Sequence, residues 1–116
     1  MGVNKGMIWK TVSEIEERVK NDKSLDDKKR TELLNLLSTL KAEVSELSKT
    51  HAEDARSISR FTEASIHEAM REKKNPRLLK VSLQGLSTSV EGFENSHPDL
   101  VKIVNSICFT LSNMGL

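Results

Sequence analysis

Three histidines, one cysteine and a scatter of carboxylates are the side chains in this sequence best equipped for chemistry. Glu94 and His97 stand three apart, the Glu-x-x-His spacing with which helical bundles hold di-iron and di-manganese ions. Such a centre needs two of those pairs and two further glutamates on facing helices. The chain has one pair, and it falls at a proline turn. His97 is therefore expected as a structural residue of that turn, together with Ser96, Pro98 and Asp99. Glu63 and His67, four apart, would share one helix face. His51 would meet its own symmetry mate if two copies paired along their long helices, giving a pH-sensitive or metal-bridging contact; a solvated or hydrogen-bonded imidazole is the plain alternative. Cys108 follows Ile107 in a helical pattern, with no histidine or cationic cluster beside it to lower its pKa. It reads as a small buried apolar residue.

Other reactive arrangements are absent. There is no Gly-x-Ser-x-Gly, no Gly-x-x-x-x-Gly-Lys-Ser/Thr and no Gly-x-Gly-x-x-Gly. No catalytic, metal-binding or cofactor-binding residue is assigned, no cofactor is expected, and the chain is expected not to be an enzyme. Eighteen Lys and Arg nearly balance seventeen Asp and Glu, for a net charge of +1. That balance gives no global field to draw in nucleic acid or anionic lipid. Two basic clusters stand out, Lys28, Lys29 and Arg30, and then Arg71, Lys73, Lys74 and Arg77. Both are interleaved with acidic residues and lack aromatics for stacking.

The elements that must position these groups read as helices. Leu25 to Lys74 contains no glycine or proline, the strongest helix breakers. Leu33, Leu37, Leu40, Val44, Leu47, His51, Asp54, Ile58, Phe61 and Ser65 follow an alternating three-four spacing, the seam of a helix packed along other helices. As one continuous helix, the favoured reading, the stretch would be about 70 Å long. His51 and Asp54 would then form a polar layer fixing register and copy number. The rival reading ends a helix near Ser48 and restarts it at the capping-box pattern Thr50 to Glu53.

Before this stretch, residues 1–6 read as a loose arm, and a first helix from about Lys5 to Asn21 carries Ile8, Val12, Ile15 and Val19. Glu14 with Arg18 and Glu16 with Lys20 are spaced as helix-surface ion pairs. Ser24 and Asp27 form a capping box ahead of the long helix. After it, Asn75 caps a third helix with Pro76 at its first position, running to about Asn95. Its glycines, Gly85 and Gly92, suggest close approach of a neighbouring backbone. Ser96 and Asp99 cap the last helix, which Gly115 stops.

The segment Phe93-Glu94-Asn95-Ser96-His97-Pro98-Asp99-Leu100 and the ending Leu111-Ser112-Asn113-Met114-Gly115-Leu116 resemble a family of short bacterial helical proteins of unknown function. Its members carry a Phe-Glu-x-x-His-Pro-x-Leu turn and a Met-Gly-Leu or Met-Gly-Ile tail. The resemblance is specific over the last 25 residues or so and looser along an N-terminal hairpin matching Ile8 to Leu47. It makes His51 to Asn75 look like an insertion. It implies a helical fold and no activity, cofactor or catalytic residue.

The sequence thus predicts a single all-α domain of four helices with coiled-coil-like packing: an N-terminal hairpin over 7–50 and C-terminal helices over 51–116, joined through one long helix. The leucine face is wider than one facing helix covers, and leaving several leucines wet would forfeit several kcal/mol, at about 25 cal/mol per Å2. A homo-oligomer, most simply a dimer, is expected, with Leu37, Leu40, Val44 and Leu47 beside His51 and Asp54 setting it. The expected role is a non-enzymatic scaffold or adaptor in the cytoplasm working through helix faces. The alternatives are a small nucleic-acid-associated or regulatory protein using 28–30 and 71–77, and a metal-dependent helical-bundle enzyme. No segment approaches the length of a membrane span.

Overall fold

Asn75 and Pro76 act as their types predict. The Asn75 side chain accepts a hydrogen bond from the Leu78 amide at 3.2 Å, and Pro76 opens the helix. A computed structural model describes residues 2–114, with side chains from Gly6 to Met114. Five helices make up its regular structure: α1 Gly2–Asn21, α2 Asp27–Leu47, α3 Ala52–Met70, α4 Pro76–Ser89 and α5 Pro98–Met114. No strand occurs among the described residues. The helical stop expected at Gly115 lies outside them. The first helix reaches back to Gly2, through the stretch expected as a loose arm.

The long helix does not form, so there are five helices where four were expected. α2 ends at Leu47, whose carbonyl accepts from the amides of both Thr50 (3.1 Å) and His51 (2.8 Å). Ser48 donates its hydroxyl to the Ser45 carbonyl at 2.6 Å and Thr50 donates to that of Leu47 at 3.4 Å. Side-chain hydroxyls that take up terminal carbonyls relieve a helix of the need to continue. The gain comes from packing. With the chain folded back at 48–51, α3 touches α1, α2, α4 and α5, and a rod of about 70 Å becomes a body 38 × 24 × 20 Å. Its radius of gyration, 13.4 Å, matches the roughly 13 Å of a compact domain this size.

The same fold-back removes the reason for a second copy along the leucine face. Leu33, Leu37, Leu40, Val44 and Leu47 are fully buried by helices of their own chain. Ile8, Val12, Ile15 and Val19 of α1, Ile58 and Ile66 of α3, Leu79 and Leu86 of α4, and Leu100, Val104, Ile107 and Leu111 of α5 complete one core. Leu34 and Leu36, the flanks that seemed too wide, pack half-buried against it. His51 and Asp54 lie at the surface rather than in a seam.

Touching four helices demands small residues on the buried side of α3. Ala55, Ser59, Thr62, Ser65 and Ala69 are its buried short side chains. Ser59 and Thr62 satisfy their hydroxyls on the Ala55 and Ile58 carbonyls, at 2.9 and 2.8 Å. The Ser65 hydroxyl is buried without a partner. Ser65→Ala removes that desolvated group and improves helix propensity, so it is expected to raise unfolding free energy by about 1 kcal/mol. Urea titration of both proteins checks this.

Two expected surface ion pairs take other partners. Glu16 reaches across to Lys41 of α2 at 2.6 Å, a half-buried pair with the ammonium also 4.5 Å from the Trp9 ring. Arg18 donates to Nδ1 of His67 on α3 at 3.0 Å. Links between neighbouring helices replace contacts along one helix.

Candidate functional site

The connection from α4 to α5 is built by one glycine and its neighbours. α4 stops at Ser89, short of the expected Asn95, because Gly92 takes φ +93°, a conformation that side chains with a Cβ rarely adopt. The Gly92 amide donates to Oε2 of Glu94 at 2.9 Å, and the His97 amide donates to the Phe93 carbonyl at 2.8 Å. Glu94 thus serves its own turn, and the Glu94/His97 spacing makes no mid-helix pair. The His97 carbonyl accepts from the Val101 amide at 3.3 Å, which puts His97 at the head of α5 in place of Ser96.

His51, at the head of α3, comes to the same end of the molecule. Its ring centre lies 5.3 Å from that of Phe93 and 6.1 Å from that of His97; Phe93 and His97 are 5.5 Å apart. All three rings meet edge to face, the preferred geometry for aromatic pairs. Nδ1 of His51 is 2.8 Å from the Thr50 hydroxyl, and Nδ1 of His97 is 2.9 Å from that of Ser96. Residues assigned separately from sequence, one to a register layer and one to a structural turn, therefore form one cluster. Nothing in the linear sequence pairs them: the link is Phe93, whose ring lies against both.

A family model matches residues 34–116, described as a domain of unknown function, DUF4404. The chain belongs to this family. The DUF4404 range opens within α2, includes all of α3, α4 and α5, and contains His51, Phe93 and His97; it also includes 51–75. No curated protein and no solved structure matches the chain.

The remaining chemical residues of this DUF4404 chain are engaged elsewhere. His67 accepts from Arg18 and lies 3.9 Å from Glu68. It lines a shallow surface depression with Glu63. Cys108 is half-buried, its thiol 4.0 Å from the Leu83 carbonyl, and burial raises its pKa. A raised pKa keeps it a protonated, weakly nucleophilic thiol. Most of the cations in the two basic clusters serve their own chain. Arg30 binds Asp27 and the Asp22 and Leu25 carbonyls, and Lys29 lies 3.8 Å from Glu32. Arg71 binds Glu68 at 2.8 Å, and the Lys74 ammonium turns to the Ala69 carbonyl. No helix among the described residues is long and apolar enough to cross a membrane.

A second surface feature was not legible as such. Phe61, expected in the seam, is 40% exposed, and on the facing helix Leu78 and Val81 are 44% and 62% exposed. Phe61 and Val81 line an open groove of about 560 Å3 between α3 and α4, with Asp54 and Glu91 at one end. Gly85 makes this possible. A Cβ there would stand 2.3 Å from Cε1 of Phe61, so the ring occupies the space a side chain would fill. The close approach expected of Gly85 is real, but the neighbour is an aromatic ring, not a backbone.

Proposed function

We propose that the protein is a non-enzymatic helical scaffold that works by pairing with a second copy of itself through the α3–α4 face. The observation that supports this is the layout of that face. An exposed apolar stripe, Phe61, Leu78 and Val81, lies between an acidic end and a basic end. Asp54 and Glu91 mark the first, where α3 begins and α4 has ended. Arg77 and Lys80, exposed on the first turns of α4, mark the second. A two-fold axis through the stripe stacks apolar on apolar and sets each acidic end against the partner's basic end. Such self-complementarity is what an isologous dimer requires.

The size of the face sets the strength. The 14 residues of α4 extend about 21 Å, and two helices side by side are roughly 20 Å wide. That is about 400 Å2 per copy, half the usual area of a stable interface. The pairing is therefore a reversible one. Sedimentation velocity across the micromolar range is expected to show conversion from the 13.0 kDa chain to twice that mass, with high salt shifting it back. A single-chain mass at every concentration removes the proposal. The basic clusters lend less support to nucleic-acid binding, because most of their cations are bound within the chain.

A further inference from the structure

We propose that residues 48–51 are a hinge through which two copies of this chain exchange their α1–α2 hairpins, with α2 and α3 of each copy joined into one helix. The first support is how little separates the two helices. Hydrogen bonding of helical sense continues past Leu47. The amides of Ser48, Lys49, Thr50 and His51 donate to the carbonyls of Val44, Glu46, Leu47 and Leu47 again, at 2.9, 3.2, 3.1 and 2.8 Å. Ser48 keeps a helical backbone, φ −61° and ψ −20°. Only His51 lies outside a hydrogen-bonded turn, with φ −134° and ψ 64°. The connection contains no glycine, no proline and no residue of positive φ, so no residue in it requires the reversal.

The second support is the start of α3. Its first internal bond runs from the Ala55 amide to the His51 carbonyl at 3.0 Å. The amides of Ala52, Glu53 and Asp54 before it have no partner within the helix, and the His51 side chain makes no capping bond. In a joined helix these three amides donate to the carbonyls of Ser48, Lys49 and Thr50. Against that gain the turn gives up its own contacts, chiefly the His51 ring beside Phe93.

The partner is fixed by the surfaces that opening uncovers. α1 packs on α2, and α3, α4 and α5 pack on one another; contacts of α1 with α3, and of α2 with α3 and α5, hold the two units together. An opened chain bares apolar faces that include Leu37 and Ile58, both fully buried in the closed form. A second copy offers the same faces, so the exchange remakes every contact between the units and changes only the hinge. At micromolar concentration the closed chain prevails, because its own hairpin is held at an effective concentration on the order of millimolar. Refolding at or above that concentration favours exchange. α3 and α4 stay within one unit, so the exchange neither uses the pairing face nor rests on it.

The test is to unfold the full chain, refold it at millimolar concentration and separate the products by gel filtration in high salt. Val81→Asp, exposed on the pairing face, serves as the parent so that pairing there contributes nothing. A dimer that survives dilution is expected. Its topology is read from two spin labels on one chain, at Lys28→Cys and Glu72→Cys in a Cys108→Ala background, diluted in excess unlabelled chain. Both positions are exposed and border one pocket where α2 begins and α3 has ended. The closed chain holds the labels close; a joined helix holds them about 60 Å apart. His51→Ala and His51→Gly remove the same ring but differ in helix propensity, and two hinges per dimer make His51→Ala favour exchange about thirtyfold more. Circular dichroism checks that both fold, and the labelled parent carries the test alone if either does not. Single chains only, a dimer that keeps the short distance within each chain, or equal exchange in His51→Ala and His51→Gly overturns the proposal, and none of these outcomes bears on the α3–α4 pairing.

Discussion

Leu37→Asp is expected to abolish the helical circular dichroism of the chain, leaving no folded monomer behind. Leu37 is fully buried by helices of its own chain. An aspartate there must either ionise in an apolar core, at a cost of many kcal/mol, or stay protonated with hydroxyl and carbonyl unpaired. A domain of this size is stable by only about 5–15 kcal/mol, and the carboxyl also replaces the buried isopropyl group of the leucine. Leu37→Ala isolates the packing part of the loss. It should lower unfolding free energy by about 3–5 kcal/mol in urea titration, the range for a buried leucine left as a cavity. Both effects should be independent of protein concentration, because Leu37 packs only against its own chain. If Leu37 instead sat on a seam between copies, Leu37→Asp would yield a well-folded monomer.

The apolar spacing carried the core with few errors, since burial of an amphipathic face is a local property of the sequence. Ile8 to Val19 and Leu33 to Leu47 are buried as their spacing requires. Where the chain reverses was harder to see. Breaker-free sequence from Leu25 to Lys74 favours a single helix locally, and only the tertiary gain of wrapping α3 against all four other helices decides for a turn at Ser48. The four-residue signature Thr50 to Glu53 marked the right neighbourhood. Yet His51, not Thr50, takes the cap position, much as Asp26 accepts from Lys29 at 2.7 Å where Ser24 was expected to cap. Serine and threonine hydroxyls near helix ends have several backbone and side-chain partners within reach, so pattern alone locates a helix start to within a residue or two.

The chemistry was less legible than the fold, for a related reason. His51 and His97 come together because two turns far apart in sequence close one end of the bundle. Each looked structural in its own context. The two glycines show the same limit. Gly85 stays helical to admit a ring, and Gly92 ends a helix by taking positive φ. One letter serves both purposes, and only the neighbours that folding supplies distinguish them.

Val81→Asp is expected to leave the fold intact and abolish pairing. At 62% exposure the side chain contributes little to the core, so unfolding free energy should change by less than about 1 kcal/mol. At a two-fold contact the substitution occurs twice, placing two desolvated carboxylates against apolar surface, and a weak interface cannot absorb several kcal/mol. Sedimentation should then report the single chain at concentrations where the parent pairs. Opposite charges at the two ends allow a stricter test. Asp54→Arg alone and Arg77→Asp alone should each weaken association by setting like charges together, while the double exchange should restore it, because every cross-contact regains its attraction with the sign reversed. Restoration in the double variant would locate the contact and its antiparallel sense at once. Additive loss in the double variant would mean that Asp54 and Arg77 do not meet across the axis, and the α3–α4 face would have to be given up as the pairing surface.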